Sequence, residues 1–217
     1  KSYIYKFKTI EIFPWQTENS ISIEKIFNIK SIPELSIDAE NLQQSKINLI
    51  STNSLQQAWH RHFLDSAQIY LMSPRKAASA IDVGTGAGFP GLVLSIMGMK
   101  NVQLVEQNKK KCAFLYEVIR ETEATATVHP CKIENLLVKD YDVVLARAFM
   151  PLDGLLKVVS PFFGKGTLGI FPKGSRVNEE LTEASKNWKM TTVIKQSITS
   201  PDGKIVLVKD LVSERNK

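Results

Sequence analysis

The run from Ile81 to Gly91, IDVGTGAGFPG, constrains this chain most, because glycine stands at positions 84, 86, 88 and 91. Ahead of it, Ala80–Val83 reads as a short apolar strand. Behind it, Pro90–Met97 reads as a helix whose proline fits the first turn, where no N–H partner is needed. Glycine lets the backbone turn back sharply and lets a ligand approach without meeting a Cβ. The segment Val83–Met99 carries no charge, yet its five glycines and Pro90 predict a turn and a short buried helix, not a membrane span.

The chain beyond this turn alternates as a strand–helix–strand fold requires. Val102–Val105 is a second strand, and Lys109–Arg120 a helix with Phe114, Leu115, Val118 and Ile119 on one face. Thr125–His129 and Tyr141–Ala146 are further strands, the latter apolar enough to be buried on both faces. Pro151–Val159 is helical, Thr167–Phe171 a strand, and Asn178–Trp188 a polar-faced helix. Met190–Ile198 and Lys204–Val208 alternate around Pro201-Asp202-Gly203, a hairpin turn. The expected fold is α/β and Rossmann-like: a mostly parallel seven-stranded sheet between helices, with a closing antiparallel hairpin. Residues 1–75 are irregular and partly helical, an expected small N-terminal lobe, and 76–217 form the sheet domain.

Glu106 ends the second strand, 22 positions after Gly84. A carboxylate there accepts hydrogen bonds from both ribose hydroxyls of an adenosine group. Two ligand classes compete. Gly86–Gly91 satisfies G-x-G-x-x-G, the dinucleotide pattern of nicotinamide oxidoreductases. Counted from Gly84, the residue that directly follows the strand, the pattern is G-x-G-x-G preceded by Asp82, which is typical of class I methyltransferases binding S-adenosylmethionine.

Composition narrows the partners. Lysine and arginine number 28 against 22 acidic residues, and the net charge of +6 favours an anionic partner mildly. Cys112 and Cys131 form no C-x-x-C pair, and the three histidines complete no metal site, so reduced thiols and no metal are expected. Lys1–Ile10 lacks a signal core. These features fit a cytoplasmic protein away from membranes.

Several segments together resemble the glucose-inhibited division protein B family, bacterial methyltransferases acting on N7 of a guanine in 16S ribosomal RNA. They are DVGTGAGFPG at 82–91, Asn48-Leu49-Ile50, Arg61-His62-Phe63-Leu64-Asp65-Ser66, Lys110–Leu115, Ala146-Arg147-Ala148 and Lys173-Gly174. The resemblance spans roughly Asn48–Leu181. It implies a class I S-adenosylmethionine-dependent methyltransferase fold over 76–217. Gly84, Gly86 and Phe89 would line the cofactor site, Glu106 would hold the ribose, Ile133-Glu134 would flank the adenine, and Arg147 would lie between cofactor and substrate. Its partner would be 16S ribosomal RNA or the small ribosomal subunit, met as a monomer. An RNA-binding protein that keeps this fold without transfer activity is the alternative from another class.

Guanine N7 has an in-plane lone pair and no proton to lose, so no catalytic acid or base is expected, only in-line positioning. Arg147 is assigned to positioning. Arg61, His62, Lys173 and Arg176 are candidate RNA contacts, with Arg75 and Lys76 further out. His62 next to Asp65 also reads as a structural histidine, Lys109-Lys110-Lys111 as a solvated helix start, Trp59 and Trp188 as packing anchors, and His129 and Cys131 as packing residues.

Overall fold

The computed structural model describes Trp59–Pro74 and Lys76–Glu214. Asn48-Leu49-Ile50, Arg75 and most of the expected N-terminal lobe lie outside the described residues. A wide helical turn, Trp59–Leu64, leads into helix α1, Asp65–Met72. Then follow β1 Ala80–Val83, α2 Gly91–Ile96, β2 Val102–Val105, α3 Lys109–Thr122 and β3 Ala126–His129. The second half holds β4 Tyr141–Leu145, α4 Leu152–Val159, β5 Phe163–Lys173, α5 Val177–Ala184, β6 Trp188–Gln196 and β7 Lys204–Ser213.

The seven strands form one sheet in the order β3-β2-β1-β4-β5-β7-β6. The first five are parallel, and β7 runs antiparallel between β5 and β6. Strand order reverses between β1 and β4. The crevice beyond their carboxyl ends is therefore where a ligand fits in such a sheet. Gly84 leaves β1 there, and Arg147 leaves β4 there.

Alternation along the strands builds two cores. Ala80, Leu104, Val143, Leu145, Leu168 and Ile170 face one side, beneath α1, α2 and α3. Ile81, Val83, Val105, Val144 and Phe171 face the other, beneath α4 and α5. In α4, Leu152, Leu155, Leu156 and Val159 are all essentially sealed from water. At about 1.5–3 kcal/mol for each such side chain, this stripe fixes the helix on the sheet. Ile69 of α1 is fully buried in the same cluster as Leu94, so the helix before residue 75 packs as part of the sheet domain.

Several element bounds differ from the sequence reading. Strand β5 extends beyond the expected Thr167–Phe171 at both ends, because its flanks pair with Tyr141 and with Ile205 and Lys204. The helix expected to reach Trp188 stops at Ala184, and Trp188 opens β6 instead. Its buried indole donates to Asp153 Oδ1 at 3.0 Å, which draws the chain out of the helix. In α3, Asn108 caps the start by accepting from the N–H groups of Lys110 and Lys111. A cap of about 1 kcal/mol offsets three lysines at a helix end that disfavours cations.

Candidate active site

The glycine turn closes on a buried carboxylate. Asp82, wholly buried in β1, accepts at Oδ2 from Thr85 Oγ1 at 2.5 Å and from the Gly91 N–H at 2.8 Å. These bonds staple the two ends of the turn. Its Oδ1 is buried with no partner among the described residues. Burial pushes the Asp82 carboxyl up to about 6, against the two hydrogen bonds that favour its charged form.

Within the turn Gly84 has φ 68° and Gly86 φ 62°, backbone that side chains rarely adopt. The two differ in surroundings. A Cβ on Gly84 would stand 2.4 Å from Phe149 Cδ2, whereas one on Gly86 would meet only a carbonyl oxygen at 4.0 Å. The mouth of the turn is therefore at Gly86. Glu106 points into that mouth: Oε2 accepts from the Gly86 N–H at 3.1 Å, and Oε1 from the Asn108 N–H at 2.8 Å. Glu106 as a whole is buried, at 8% exposed. Beneath it, Cys112 Sγ donates to the Glu106 carbonyl, so this thiol packs and does not face the mouth.

Ile133 and Glu134 form a short turn of helix after β3. Ile133 is buried in the cluster that holds Val83 and Val105, and Glu134 is exposed. His129 bonds Gln103 through Nε2 at 2.7 Å, and Cys131 packs against the same core as Ile133.

Arg147 joins the turn to the segment before α1. Its guanidinium donates to the Arg61 carbonyl at 3.2 Å, pairs with Asp65 at 3.3 Å, meets His62 Nδ1 at 3.1 Å and lies 5.2 Å over the Phe89 ring. His62 stacks on Phe89 at 5.2 Å, and Phe63 meets that ring edge-on at 5.1 Å. Burial first, then the charge of Arg147, hold His62 down to about 4. It is neutral at pH 7 and accepts from Arg147 at Nδ1. Phe89 is thus covered by a neutral imidazole and by a guanidinium whose charge Asp65 balances.

Asp65 carries a second load that the sequence did not reveal. It also accepts from Gln68 Nε2 at 2.8 Å and from Thr199 Oγ1 at 2.5 Å. Gln68 Oε1 in turn accepts from the Ile198 N–H at 3.1 Å. The β6–β7 connection is held in this way against α1.

Beside the turn lies a cleft of about 960 Å³, lined by Arg61, Arg147, Phe149, Lys173 and Arg176 among others. Arg61 and Arg176 are exposed, and neither has a carboxylate partner among the described residues. Lys173 differs. Its ammonium pairs with Glu180 at 2.8 Å and donates to the Met150 carbonyl at 2.8 Å, and its side chain is 9% exposed. Glu180 also accepts from the Leu152 N–H at 2.8 Å, so the pair clamps the start of α4. Lys76 precedes β1, at the opposite end of the sheet from the glycine turn. Phe149, which sequence reasoning passed over, stands between turn and cleft. Among the described residues, no cluster of three or more histidine, cysteine, aspartate or glutamate side chains is placed to hold a metal.

A family model described as GidB, rRNA small subunit methyltransferase G, matches residues 38–208. The chain belongs to this family. A ribosomal RNA small subunit methyltransferase G of Rhodospirillum rubrum is 43% identical over 168 residues, covering 77% of this chain and 84% of the relative. One from Paramagnetospirillum magneticum is 37% identical over 195 residues, covering 90% and 93%. Among solved structures, the ribosomal protein L11 methylase of Lactobacillus delbrueckii subsp. bulgaricus superposes with TM-score 0.58 at 12% identity, over 69% of this chain and 78% of that one. Fibrillarin from Aeropyrum pernix, in complex with S-adenosyl-L-methionine, gives 0.53 at 13%, over 69% and 75%. Both structures share the fold. Membership of the methyltransferase G family makes this chain an S-adenosylmethionine-dependent methyltransferase of class I architecture.

Proposed function

We propose that this protein transfers the methyl group of S-adenosylmethionine to N7 of a guanine in 16S ribosomal RNA, acting as a monomer in the cytoplasm on the RNA or the small ribosomal subunit. The observation that carries the reading is Glu106 at the mouth of the glycine turn, 3.1 Å from the Gly86 N–H. The residues present fit the cofactor. Open backbone at Gly86 admits it without a Cβ in the way, and the Glu106 carboxylate stands where ribose hydroxyls would donate. Gly84 and Phe89 would line its methionine end, with Ile133 and Glu134 beside the adenine. When bound, the cofactor supplies an electrophilic methyl on a sulfonium sulfur.

The chain's own residues then need only to position. N7 attacks with a lone pair that carries no proton, so no base is required, and in-line approach is the main demand. Positive charge passes to the purine as the methyl transfers, and a bare cation against the base would oppose this. Arg147 is balanced by Asp65, and His62 is neutral, so the group over Phe89 adds no net charge there. The expected positioning role of Arg147 is consistent with this balance.

Guanine N7 lies in the deep, narrow groove of A-form RNA, so the target is an unpaired or extruded base. The cleft beside the turn would take it. Arg61 and Arg176 at its rim would meet phosphates, while Lys173 is already committed to Glu180 and would add little charge. Among the described residues no helix is long and apolar enough to cross a membrane.

Calorimetric titration with S-adenosylhomocysteine tests the reading. Binding with one site per chain supports it, and a chain that ignores this ligand but binds reduced nicotinamide dinucleotide would overturn it.

A further inference from the structure

We propose that Phe149 is the platform on which the extruded target guanine stacks. The inference rests on the reading above as an rRNA guanine methyltransferase and adds the residue that sets the plane of the base.

The backbone directs this ring to the junction of turn and cleft. Ala148, which follows Arg147 at the end of β4, has φ 51°, a left-handed conformation uncommon for a residue with a Cβ. The reversal sends Phe149 across the glycine turn, where its Cδ2 would be 2.4 Å from a Cβ on Gly84. One edge of the ring thus rests on the turn that receives the cofactor, and the residue also lines the cleft between Arg147 and Met150.

Burial does not explain this position. Phe162 and Phe171 are 2% and 0% exposed, whereas Phe149 is 38% exposed. Phe89 has His62, Phe63 and Arg147 around it, but among the described residues no other aromatic ring stacks on Phe149. A half-open aromatic face suits a nucleobase with its phosphates in a cleft edged by Arg61 and Arg176, which have no carboxylate partner among the described residues. Any base offers a π-face, and Arg61 and Arg176 offer charge.

The reaction also asks for such a surface. The N7 lone pair lies in the plane of the purine, so the line from sulfur through methyl must lie in that plane too. A hydrogen bond to N7 would fix the base but engage the lone pair that has to react. Stacking fixes the plane and leaves the edge free. The guanine gains positive charge as its new N7–CH₃ bond forms and the S–CH₃ bond breaks. The electron-rich face of a phenyl ring attracts that charge more in the transition state than in the substrate. A neutral aromatic therefore both aligns the base and favours the transfer.

The test uses the full chain, S-adenosylmethionine and small ribosomal subunits from cells lacking this modification. Single-turnover methyl transfer and calorimetric binding of S-adenosylhomocysteine are measured for wild type and for Phe149→Leu, Phe149→Tyr and Phe149→Trp. Phe149→Leu is expected to lose roughly 10- to 100-fold in transfer, the scale of one lost base stack, with cofactor-product affinity within about twofold of wild type. Phe149→Tyr and Phe149→Trp should keep most activity, a recovery that loss of packing alone does not predict. The proposal is overturned if Phe149→Leu transfers as fast as wild type. It is equally overturned if the aromatic variants are as impaired as Phe149→Leu, or if affinity for S-adenosylhomocysteine falls in step with transfer. A wild-type chain that methylates no particle would remove the functional reading itself and this proposal with it, whereas an active wild type beside an unimpaired Phe149→Leu would remove the stacking role alone.

Discussion

Asp65 Oδ2 meets the Arg147 guanidinium at 3.3 Å across 82 positions of sequence, tying the start of α1 to the end of β4. Both side chains are mostly buried, at 17% and 18% exposed, and Asp65 holds Gln68 and Thr199 besides. Removing one partner leaves the other charge poorly solvated. Asp65→Ala is therefore expected to cost roughly 2–4 kcal/mol in urea denaturation. A double-mutant cycle with Arg147→Ala should give a coupling of about 1 kcal/mol or more. Additive single effects would show that the pair contributes nothing as a pair.

Both Glu106 oxygens accept from backbone N–H groups, Gly86 at one and Asn108 at the other. Glu106→Gln keeps the size but sets an amide donor against one of those donors, and it removes an acceptor from the turn's mouth. Affinity for S-adenosylhomocysteine should fall roughly 10- to 100-fold, by the cost of an unmade charged hydrogen bond. Calorimetry reads the change. An unchanged affinity would place the ribose elsewhere.

Asp82 and His62 give the stability opposite slopes with pH. Between its ordinary value of 3.8 and about 6, the Asp82 carboxyl binds more proton in the folded chain than in the unfolded one. Its contribution is thus fully present below 3.8 and lost as pH rises to about 6, by about 3 kcal/mol in total. His62, ordinarily 6.5 and held down to about 4, works the other way, its contribution rising across that window. Asp82→Asn removes the first slope alone. Urea midpoints at pH 4, 5, 6 and 7 should climb more steeply in this variant than in wild type, and parallel profiles would contradict the raised carboxyl.

Lys173 and Arg176 are neighbours in sequence with different duties. Lys173→Met breaks a pair of which the lysine is 9% exposed and should cost roughly 2–4 kcal/mol of stability, seen as a lower melting temperature. Arg176→Met should leave stability nearly unchanged and lower the salt slope of RNA binding by about one. The reverse pattern would exchange their roles.

Local signals in the sequence were strong enough to locate the turn, its strand and helix, and the acidic end of β2. They follow from backbone demands within a few residues: positive φ at Gly84 and Gly86, and apolar runs long enough for β1 and β4. What stayed hidden depends on partners far apart in the chain. The Asp65–Thr199 bond spans 134 positions, and no periodicity reports it. The Lys173–Glu180 clamp depends on how α5 packs beside β5, so Lys173 read as a surface cation. Phe149 carried no helical or strand spacing to mark it, and only the reversal at Ala148 brings its ring over Gly84.

The most direct measurement supplies methyl-labelled S-adenosylmethionine and small ribosomal subunits from cells lacking this gene, then digests the RNA to nucleosides. Label recovered as 7-methylguanosine, and lost when Glu106→Gln replaces the wild-type chain at limiting cofactor, is the predicted result. Label in another nucleoside, or none with a folded chain, would contradict it.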